Sequence, residues 1–420
     1  MKNFLTAFLK PFFDIRPGER MKTLLMFLYF MLVIMTIYIL KPLRNALFID
    51  DFGADKMKYM NVAEGLFLVV VVWGYSWLGK KMPHRIFDAA MTLFLIFNLG
   101  FFWFFSNQES VFISAFFFLW QATFSVILTT QFWIFANDLY SQNEAKRLFG
   151  LIISGGSIGG ILGGWATQAL LQVTAIHNLF LVVSGILAAC LFLSMILWKE
   201  VRQKQNVPFL ETPTVPLPEA KKPLRVTSYL LLVAGLVILA KMTSTIVENQ
   251  FAGVVEQMVE GKQALASFYG GFYAWLNLLS FLMQFLMTAT FLRRFGALGS
   301  IWILPVGLAI LSVWNLCAVS LVAAVIYRLY DGSMNYSIQQ ASKEILYLPL
   351  SSAERRQAKP WIDMLGFRGA KTLAGLFMIA GTFLFQISAP QMGLLVLVLI
   401  PFWLMVLVGL RKKLQPLVQL

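Results

Sequence analysis

Long apolar runs separated by short polar segments make up most of the chain, and this pattern predicts its secondary structure. A transmembrane helix needs about 20 predominantly apolar residues. Twelve runs approach that length, over residues 22–47, 59–79, 85–107, 111–136, 148–171, 177–198, 226–249, 265–292, 297–315, 317–341, 363–388 and 391–410. The period-two alternation of a transmembrane barrel is missing, and lipid-facing backbone must satisfy its own hydrogen bonds. We therefore predict an all-α polytopic membrane protein with twelve transmembrane helices.

Basic residues occupy every second polar segment between these runs. The basic segments contain Lys80, Lys81, Arg85, Lys146, Arg147, Arg293, Arg294, Arg355, Arg356, Lys359, Arg411, Lys412 and Lys413. The intervening segments carry mainly Asp and Glu. Because cytoplasmic loops accumulate Lys and Arg, we expect both termini to be cytoplasmic. The first 22 residues lack the small-residue cleavage site of a signal peptide, so we expect none.

One long polar segment, residues 199–225, divides the runs into two sets of six. Its prolines predict an extended cytoplasmic linker. The expected domains are a six-helix bundle over 1–198, this linker, and a six-helix bundle over 226–420. Both halves place a charged residue near the end of a span, Asp138 and Lys343, before a basic loop. This is the layout of a major-facilitator-type carrier built from repeated halves.

Composition agrees with the membrane assignment and excludes several function classes. The chain of 420 residues is 59% hydrophobic and 13% charged, with a mean hydropathy of +0.74. These values exclude a cytosolic enzyme, a disordered chain and a disulfide-built secreted module. The net charge of +14 is explained by cytoplasmic Lys and Arg, so no nucleic-acid partner is expected.

Metal, cofactor and enzyme chemistry find little support in the sequence. The two cysteines, Cys190 and Cys317, lie in apolar runs, and the two histidines, His84 and His177, are far apart. We find neither a metal-ligand cluster nor a nucleophile with a neighbouring base. We expect no metal, no cofactor and no enzyme activity.

Ionisable residues inside the apolar runs are the candidate functional residues, because each costs about 3 kcal/mol or more in a bilayer unless it is paired or hydrated. The candidates for substrate contact are Lys41, Arg44, Asp138, Glu248, Arg328, Lys343, Arg368 and Lys371. The cations would hold an anionic solute. Three acids, Asp138, Glu248 and Asp331, are candidates for taking up a coupling proton. Alternatively, the charged groups near helix ends are anchors that extend to the membrane surface.

Arg328 differs from the other candidates in its depth. It lies about 16 Å into the tenth span at 1.5 Å per residue, too deep for its charge to reach the surface. Asp331 follows three residues later on the same helix face and is its expected partner. A substrate contact and a structural ion pair are equally compatible with this placement.

A glycine-rich stretch in the fifth span resembles a phosphate-binding loop at first sight. It includes Gly155, Gly159 and Gly163 at a spacing of four, beside a second track at Gly156, Gly160 and Gly164. The Lys-Ser/Thr ending of a phosphate loop is missing, and no strand precedes it. We therefore expect close helix packing along the two tracks.

Three sequence blocks carry a family resemblance. Lys343-Glu344-Ile345-Leu346-Tyr347-Leu348-Pro349-Leu350 resembles the Lys-Glu-x-x-Tyr-Ile-Pro-Leu signature of the nucleotide transporter family, which includes the ATP/ADP translocases of plastids and obligate intracellular bacteria. Phe135-Ala136-Asn137-Asp138 with Glu144-Ala145-Lys146-Arg147 is similar to the family's Phe-Ala-Asn-Glu and Glu-Ala-Lys-Arg. Lys41-Pro42-Leu43-Arg44 resembles its Lys-Pro-Leu-Arg.

The resemblance implies a carrier that moves a nucleotide by alternating access, through exchange or with protons, in a bacterial cytoplasmic membrane. The family's important charges would fall on Lys41, Asp138, Glu248 and Lys343. The partners implied are a small anionic solute and the lipid bilayer, with the proton as the candidate coupling ion.

Several positions depart from the translocase pattern. Translocases carry Asp at the position of Asn45 and Glu at the position of Asp138. They carry Lys, Asp and Pro at the positions of Asn335, Gln340 and Ala341, respectively. These changes concern the expected site, so a carrier for a non-nucleotide solute (another organic anion, a peptide or an amphipathic lipid) stays open as the alternative.

Overall fold

A computed structural model describes most of the chain. The described residues are 15–16, 18–79, 81–106, 111–205, 227–350, 358–359, 362 and 366–418. Most of the expected linker, from residue 206 to 225, lies outside this part of the chain.

Helices account for nearly all of the described residues, and no strand occurs among them. They are α1 (Arg20–Phe52), α2 (Met57–Gly79), α3 (His84–Ser106), α4 (Val111–Leu139), α5 (Gln142–Leu170), α6 (Asn178–Gln205), α7 (Ser228–Met258), α8 (Lys262–Leu282), α9 (Thr288–Ser300), α10 (Ile303–Cys317), α11 (Leu321–Met334), α12 (Gln340–Leu346), α13 (Phe367–Phe385) and α14 (Gly393–Val418). Two π-helical turns, Met283–Met287 and Asn335–Gln339, join α8 to α9 and α11 to α12. The predicted all-α class is confirmed.

The helix lengths fit a polytopic membrane protein. Within the described ranges, nine helical segments are long and apolar enough to cross a bilayer, and two shorter apolar helices, Ile303–Cys317 and Gly369–Phe385, accompany them. The longest segment, Lys262–Ser300, bends at Gly296, whose φ of 67° suits a residue without a Cβ. That bend falls between the predicted eighth and ninth spans. The total of twelve helices and the cytoplasmic termini stay predictions.

The described residues fall into two compact units. The first lies within Met1–Leu47, Val70–Thr212 and Gly261–Asn277, and the second within Phe48–Val69, Pro213–Glu260 and Leu278–Leu420. The domain limits expected from the sequence, 1–198 and 226–420, stay a prediction.

Aromatic packing builds the core of the first unit. Phe102 of α3, with its ring fully buried, contacts Phe117 and Trp120 of α4 at centroid distances of 5.1 and 4.9 Å. Phe180 of α6 closes the cluster 5.0 Å from Phe117 in an edge-to-face contact, the arrangement that aromatic pairs favour. These contacts hold α3, α4 and α6 together.

Apolar side chains of α7, α10 and α14 build the core of the second unit. Leu236 of α7, Leu308 of α10 and Trp403 of α14 are fully buried members of one cluster. Because lipid tails are as apolar as these side chains, close van der Waals packing holds the three helices together.

The glycine tracks of α5 allow close helix approach, as expected. A Cβ added to Gly155 would lie 2.8 Å from the carbonyl oxygen of Phe27 on α1, and one on Gly163 would lie 2.7 Å from that of Met35. A Cβ on Gly159 would clash with the carbonyl oxygen of Met31. On the second track, a Cβ on Gly164 would lie 2.6 Å from the backbone of α8. The run is therefore a packing surface, as the sequence predicted.

The Glu144-Ala145-Lys146-Arg147 block begins α5 and ties it to α1. Ser141 and Glu144 form a reciprocal capping box at the start of the helix. Glu144 also accepts a hydrogen bond from Lys22 at 2.8 Å, and Arg147 contacts Glu19 at 2.9 Å. The described contacts of this motif are thus structural.

The Arg147–Glu19 pair provides a pH-dependent prediction. The Arg147 guanidinium donates two hydrogen bonds to Glu19 and lowers the pKa of that carboxyl. Because the folded pKa lies below the unfolded one, the pair stabilises the protein above the ordinary Glu pKa of about 4.3 and loses its effect as the pH falls through the lowered value. For Arg147→Gln, we expect a smaller decrease in thermal stability between about pH 5 and pH 3 than in the wild type, by about 0.5–1 kcal/mol. Arg20→Gln is the control, and an unchanged pH profile in Arg147→Gln would contradict the assignment.

Candidate functional site

A pocket opens inside the second unit. Residues of α7, α11, the π-helical turn Asn335–Gln339 and α12 line it. These helices correspond to the predicted seventh and tenth spans.

Three cationic side chains line this pocket. They are Lys241 of α7, Arg328 of α11 and Lys343 of α12. Two of them, Arg328 and Lys343, are among the substrate-contacting residues predicted from the sequence. Cations that converge on one pocket within an apolar helical unit provide the charge-assisted hydrogen bonds that a phosphate or carboxylate requires.

Acidic side chains hold the guanidinium of Arg328. Arg328 is 4% exposed and forms an ion pair with Asp331, the partner that the i,i+3 spacing predicted. Glu248 of α7 approaches the same guanidinium at 3.5 Å. Asp331 is fully buried and also accepts hydrogen bonds from Ser244 at 2.8 Å and Asn335 at 3.0 Å. Two of the three proton-coupling candidates therefore share one cation.

Polar amides and an aromatic ring complete the pocket wall. Asn335, Gln339 and Gln340 line it together with Tyr336, whose side chain is 54% exposed. Asn335, Tyr336 and Gln339 belong to the π-helical turn, and Gln340 follows it directly. Asn335 and Gln340 are two of the positions that depart from the translocase pattern.

The first unit holds Lys41 and Arg44 in an aromatic and amide environment. The Lys41 ammonium lies 4.4 Å from the centroid of the Tyr273 ring. Arg44 is 5% exposed and donates hydrogen bonds to Asn45 at 2.8 Å and Gln121 at 3.2 Å. Asn45 in turn donates to the Tyr273 hydroxyl at 3.1 Å. Asn45, which stands where translocases carry Asp, therefore joins α1 to α8.

The remaining candidates are placed elsewhere. Asp138 is exposed at the end of α4. Lys371 of α13 forms an ion pair with Glu64 of α2 at 2.5 Å, within the second unit and apart from the pocket lining. The side chain of Arg368 lies outside the described part of the structure.

Sequence reasoning missed several polar residues of these networks, among them Glu64, Gln121 and Gln339. Glu64 lies inside the second predicted span, and its charge in an apolar run was an available signal. Gln121 and Gln339 are uncharged, and a single amide in an apolar helix carries little information before its neighbours are known. Among the described residues, no group of three or more His, Cys, Asp or Glu could hold a metal ion.

Comparison with known proteins identifies relatives of the chain. The family model of the TLC ATP/ADP transporter matches residues 99–414. The chain is 23% identical over 369 residues to ADP,ATP carrier protein 1 of Chlamydia muridarum, covering 77% of this chain and 69% of that protein. It is 22% identical over 346 residues to ADP,ATP carrier protein 3 of Rickettsia felis. This match covers 70% of this chain and 68% of that protein.

Solved structures share the fold at low sequence identity. A POT family transporter in complex with 5-aminolevulinic acid superimposes with a TM-score of 0.64 and 13% identity, covering 93% of this chain and 96% of that one. A bacterial homologue of the iron transporter ferroportin superimposes with a TM-score of 0.59 and 12% identity. This match covers 90% of this chain and 98% of that one. These matches confirm a major-facilitator-type fold.

Proposed function

The chain belongs to the TLC ATP/ADP transporter family, and on this premise we propose that it carries a nucleotide across a bacterial cytoplasmic membrane by alternating access. It is a multi-pass membrane transporter and not an enzyme, as the sequence predicted. The curated relatives named above are ADP,ATP carriers, which favours a nucleotide over the peptides and other solutes considered at first. The halves 1–198 and 226–420 are proposed as the two repeats of the carrier.

The pocket of the second unit is the observation that carries this proposal. Its three cations can bind a phosphate, and its amide side chains can form hydrogen bonds with the edge of a nucleobase. The exposed ring of Tyr336 can stack on the face of the base. In this proposal, Lys343 neutralises phosphate charge, because it lines the pocket beside Lys241 and Arg328. Lys41, Arg44, Arg368 and Lys371 stay candidates for substrate contact. Asp138, Glu248 and Asp331 stay the candidates for proton coupling.

Nucleotide binding and uptake test the proposal. We expect ATP, ADP or AMP at millimolar concentration to raise the Tm of the detergent-purified protein, because a ligand that binds the folded state stabilises it. Lys343→Ala and Lys41→Ala should each lower nucleotide uptake into proteoliposomes by about tenfold or more while leaving the Tm without ligand close to that of the wild type. Lys56→Ala, an exposed lysine outside the pocket, is the matched control.

Two results would overturn parts of the proposal. A Tm shift with a non-nucleotide anion, peptide or lipid but with no nucleotide would assign the carrier to another cargo. Unchanged uptake in both lysine variants would remove these residues from the site. Uptake that depends on a preloaded nucleotide but is insensitive to a proton gradient would select exchange over proton coupling.

A further inference from the structure

One segment from the first half of the sequence lies in the second unit. Phe48–Val69 belongs to the expected bundle over 1–198, but its contacts place it with residues of the second half. It contains the polar turn between α1 and α2, which the predicted topology places on the extracytoplasmic side. A carrier that works by alternating access must open on each side in turn. The contacts that hold this segment against the second half are therefore candidates for a gate on that side.

Two carboxylates fasten the turn between α1 and α2. Glu256 of α7 accepts a hydrogen bond from the backbone N–H of Ala54 at 2.9 Å, and Asp55 accepts one from the backbone N–H of Ala389 at 2.8 Å. Each carboxylate thus satisfies an N–H at the start of a short helical turn, where intrahelical acceptors are missing. Water can replace such partners at a small net cost in free energy, so this contact can be made and broken.

Two ammonium groups extend the contact along α2 and α13. Lys58 donates a hydrogen bond to the Thr382 hydroxyl at 2.8 Å. A Cβ added to Gly375 of α13 would lie 2.8 Å from the carbonyl oxygen of Lys58, so the two helices approach closely at this glycine. Further along, Lys371 donates to Glu64 at 2.5 Å, with side chains that are 18% and 9% exposed. This ion pair is the innermost of the described contacts between the two helices.

The ion pair also lies within electrostatic range of the pocket. Lys241, which lines the pocket, interacts electrostatically with both Lys371 and Glu64. Two neighbouring ammonium groups repel each other, so the Glu64 carboxylate holds Lys371 in its position on α2. An anion bound beside Lys241 offers Lys371 a second negative partner for a charge-assisted hydrogen bond.

From these contacts we propose that Glu64 positions Lys371 as a latch, which keeps the extracytoplasmic side closed until an anionic solute in the pocket competes for Lys371. The proposal rests on the proposed nucleotide transport and on the predicted cytoplasmic termini. Glu64 is a positioning residue, since it acts on the solute through Lys371. When Lys371 turns to the solute, α2 loses its ion pair with α13, and the segment Phe48–Val69 can leave the second unit.

Thiol labelling on the contact face of α2 tests the latch. Val62→Cys, in a Cys317→Ser background, places a thiol beside Gly375, and the remaining Cys190 is buried. In the detergent-purified protein we expect millimolar ADP to raise the rate of maleimide labelling about fivefold, because binding shifts the population toward an open state that is otherwise minor. Glu64→Gln in this background should label about fivefold faster without ADP, and ADP should then add little.

Two further variants separate a latch from a merely structural ion pair. Lys371→Met removes the same pair from the side of α13 and should also label fast without ADP, which keeps the test available if Glu64→Gln does not fold. The double variant Glu64→Lys with Lys371→Glu should restore slow labelling, because the pair forms again with its charges exchanged. It should not respond to ADP, since an acid on α13 repels the solute. Size-exclusion chromatography of each variant precedes the labelling, so that unfolding is not mistaken for opening.

An ion pair of the first unit provides the matched control. Glu19→Gln breaks the contact with Arg147 and should leave both the basal labelling rate and the ADP response unchanged. Slow labelling of Glu64→Gln and Lys371→Met would overturn the latch, as would a wild-type rate that ADP does not change although ADP raises the Tm. Nucleotide transport would stand in either case. If no nucleotide changes the Tm or the labelling rate, the proposed function and this inference are refuted together.

Discussion

Replacing Arg328 by methionine is expected to destabilise the protein by about 3–5 kcal/mol, the cost of removing one partner from a buried ion pair. Arg328 is 4% exposed, and Asp331 is fully buried. The variant leaves the carboxylates of Asp331 and Glu248 near each other without the guanidinium that both contact. Thermal unfolding in detergent measures the loss, and nucleotide uptake should fall with it because the same side chain lines the pocket.

An exposed ion pair is the matched control for Arg328. Lys359 and Glu344 form a 2.6 Å contact with side chains that are 40% and 41% exposed. Exposed pairs contribute about 0–1 kcal/mol, so Lys359→Met should change stability by no more than that. If Arg328→Met and Lys359→Met were equally mild, the buried cluster would have no structural role, and the arginine would serve substrate binding.

Replacing Gly159 by alanine is expected to destabilise the protein by about 1–3 kcal/mol, although alanine favours helices. The new Cβ would overlap the carbonyl oxygen of Met31, which belongs to the backbone of α1 and cannot rotate away. The two helices must separate, and the contacts at Gly155 and Gly163 on the same track must loosen with them. Gly159→Leu should abolish the folded protein, as judged by size-exclusion chromatography in detergent.

Gly150 lies on the same helix and provides a control, because its replacement by alanine is expected to raise stability. A Cβ added there meets no atom within 4 Å. Gly150→Ala should therefore stabilise α5 by up to about 1 kcal/mol through helix propensity. Equal effects of the two alanine substitutions on Tm would contradict the packing role of the glycine track.

Local patterns predicted several features of this protein correctly. The lengths of the apolar runs predicted the helical membrane class. Glycines spaced four residues apart predicted a track for close helix packing. The i,i+3 spacing predicted the Arg328–Asp331 pair, because one helical turn brings such residues to the same face. The quoted motifs predicted the transporter family, which the family match confirms.

Contacts between distant parts of the chain could not be predicted in the same way. Glu64 and Lys371 are 307 positions apart, and Asn45 and Tyr273 are 228 apart. The second partner of Arg328, Glu248, comes from another helix. No periodicity within one segment contains information on which face of another helix will lie against it.

The sequence by itself determined the helical membrane class, the charge asymmetry and the family, because each depends on residue type and local spacing. The tertiary structure decided which charges share a pocket, which are consumed in ion pairs such as Lys371–Glu64, and where the amides lie. The π-helical turn is the clearest case, since its extra width redirects Asn335, Tyr336 and Gln339 into the pocket. The reason is physical: helix formation is stabilised by local hydrogen bonds, whereas the choice of partners between helices depends on packing and on the cost of burying polar groups together.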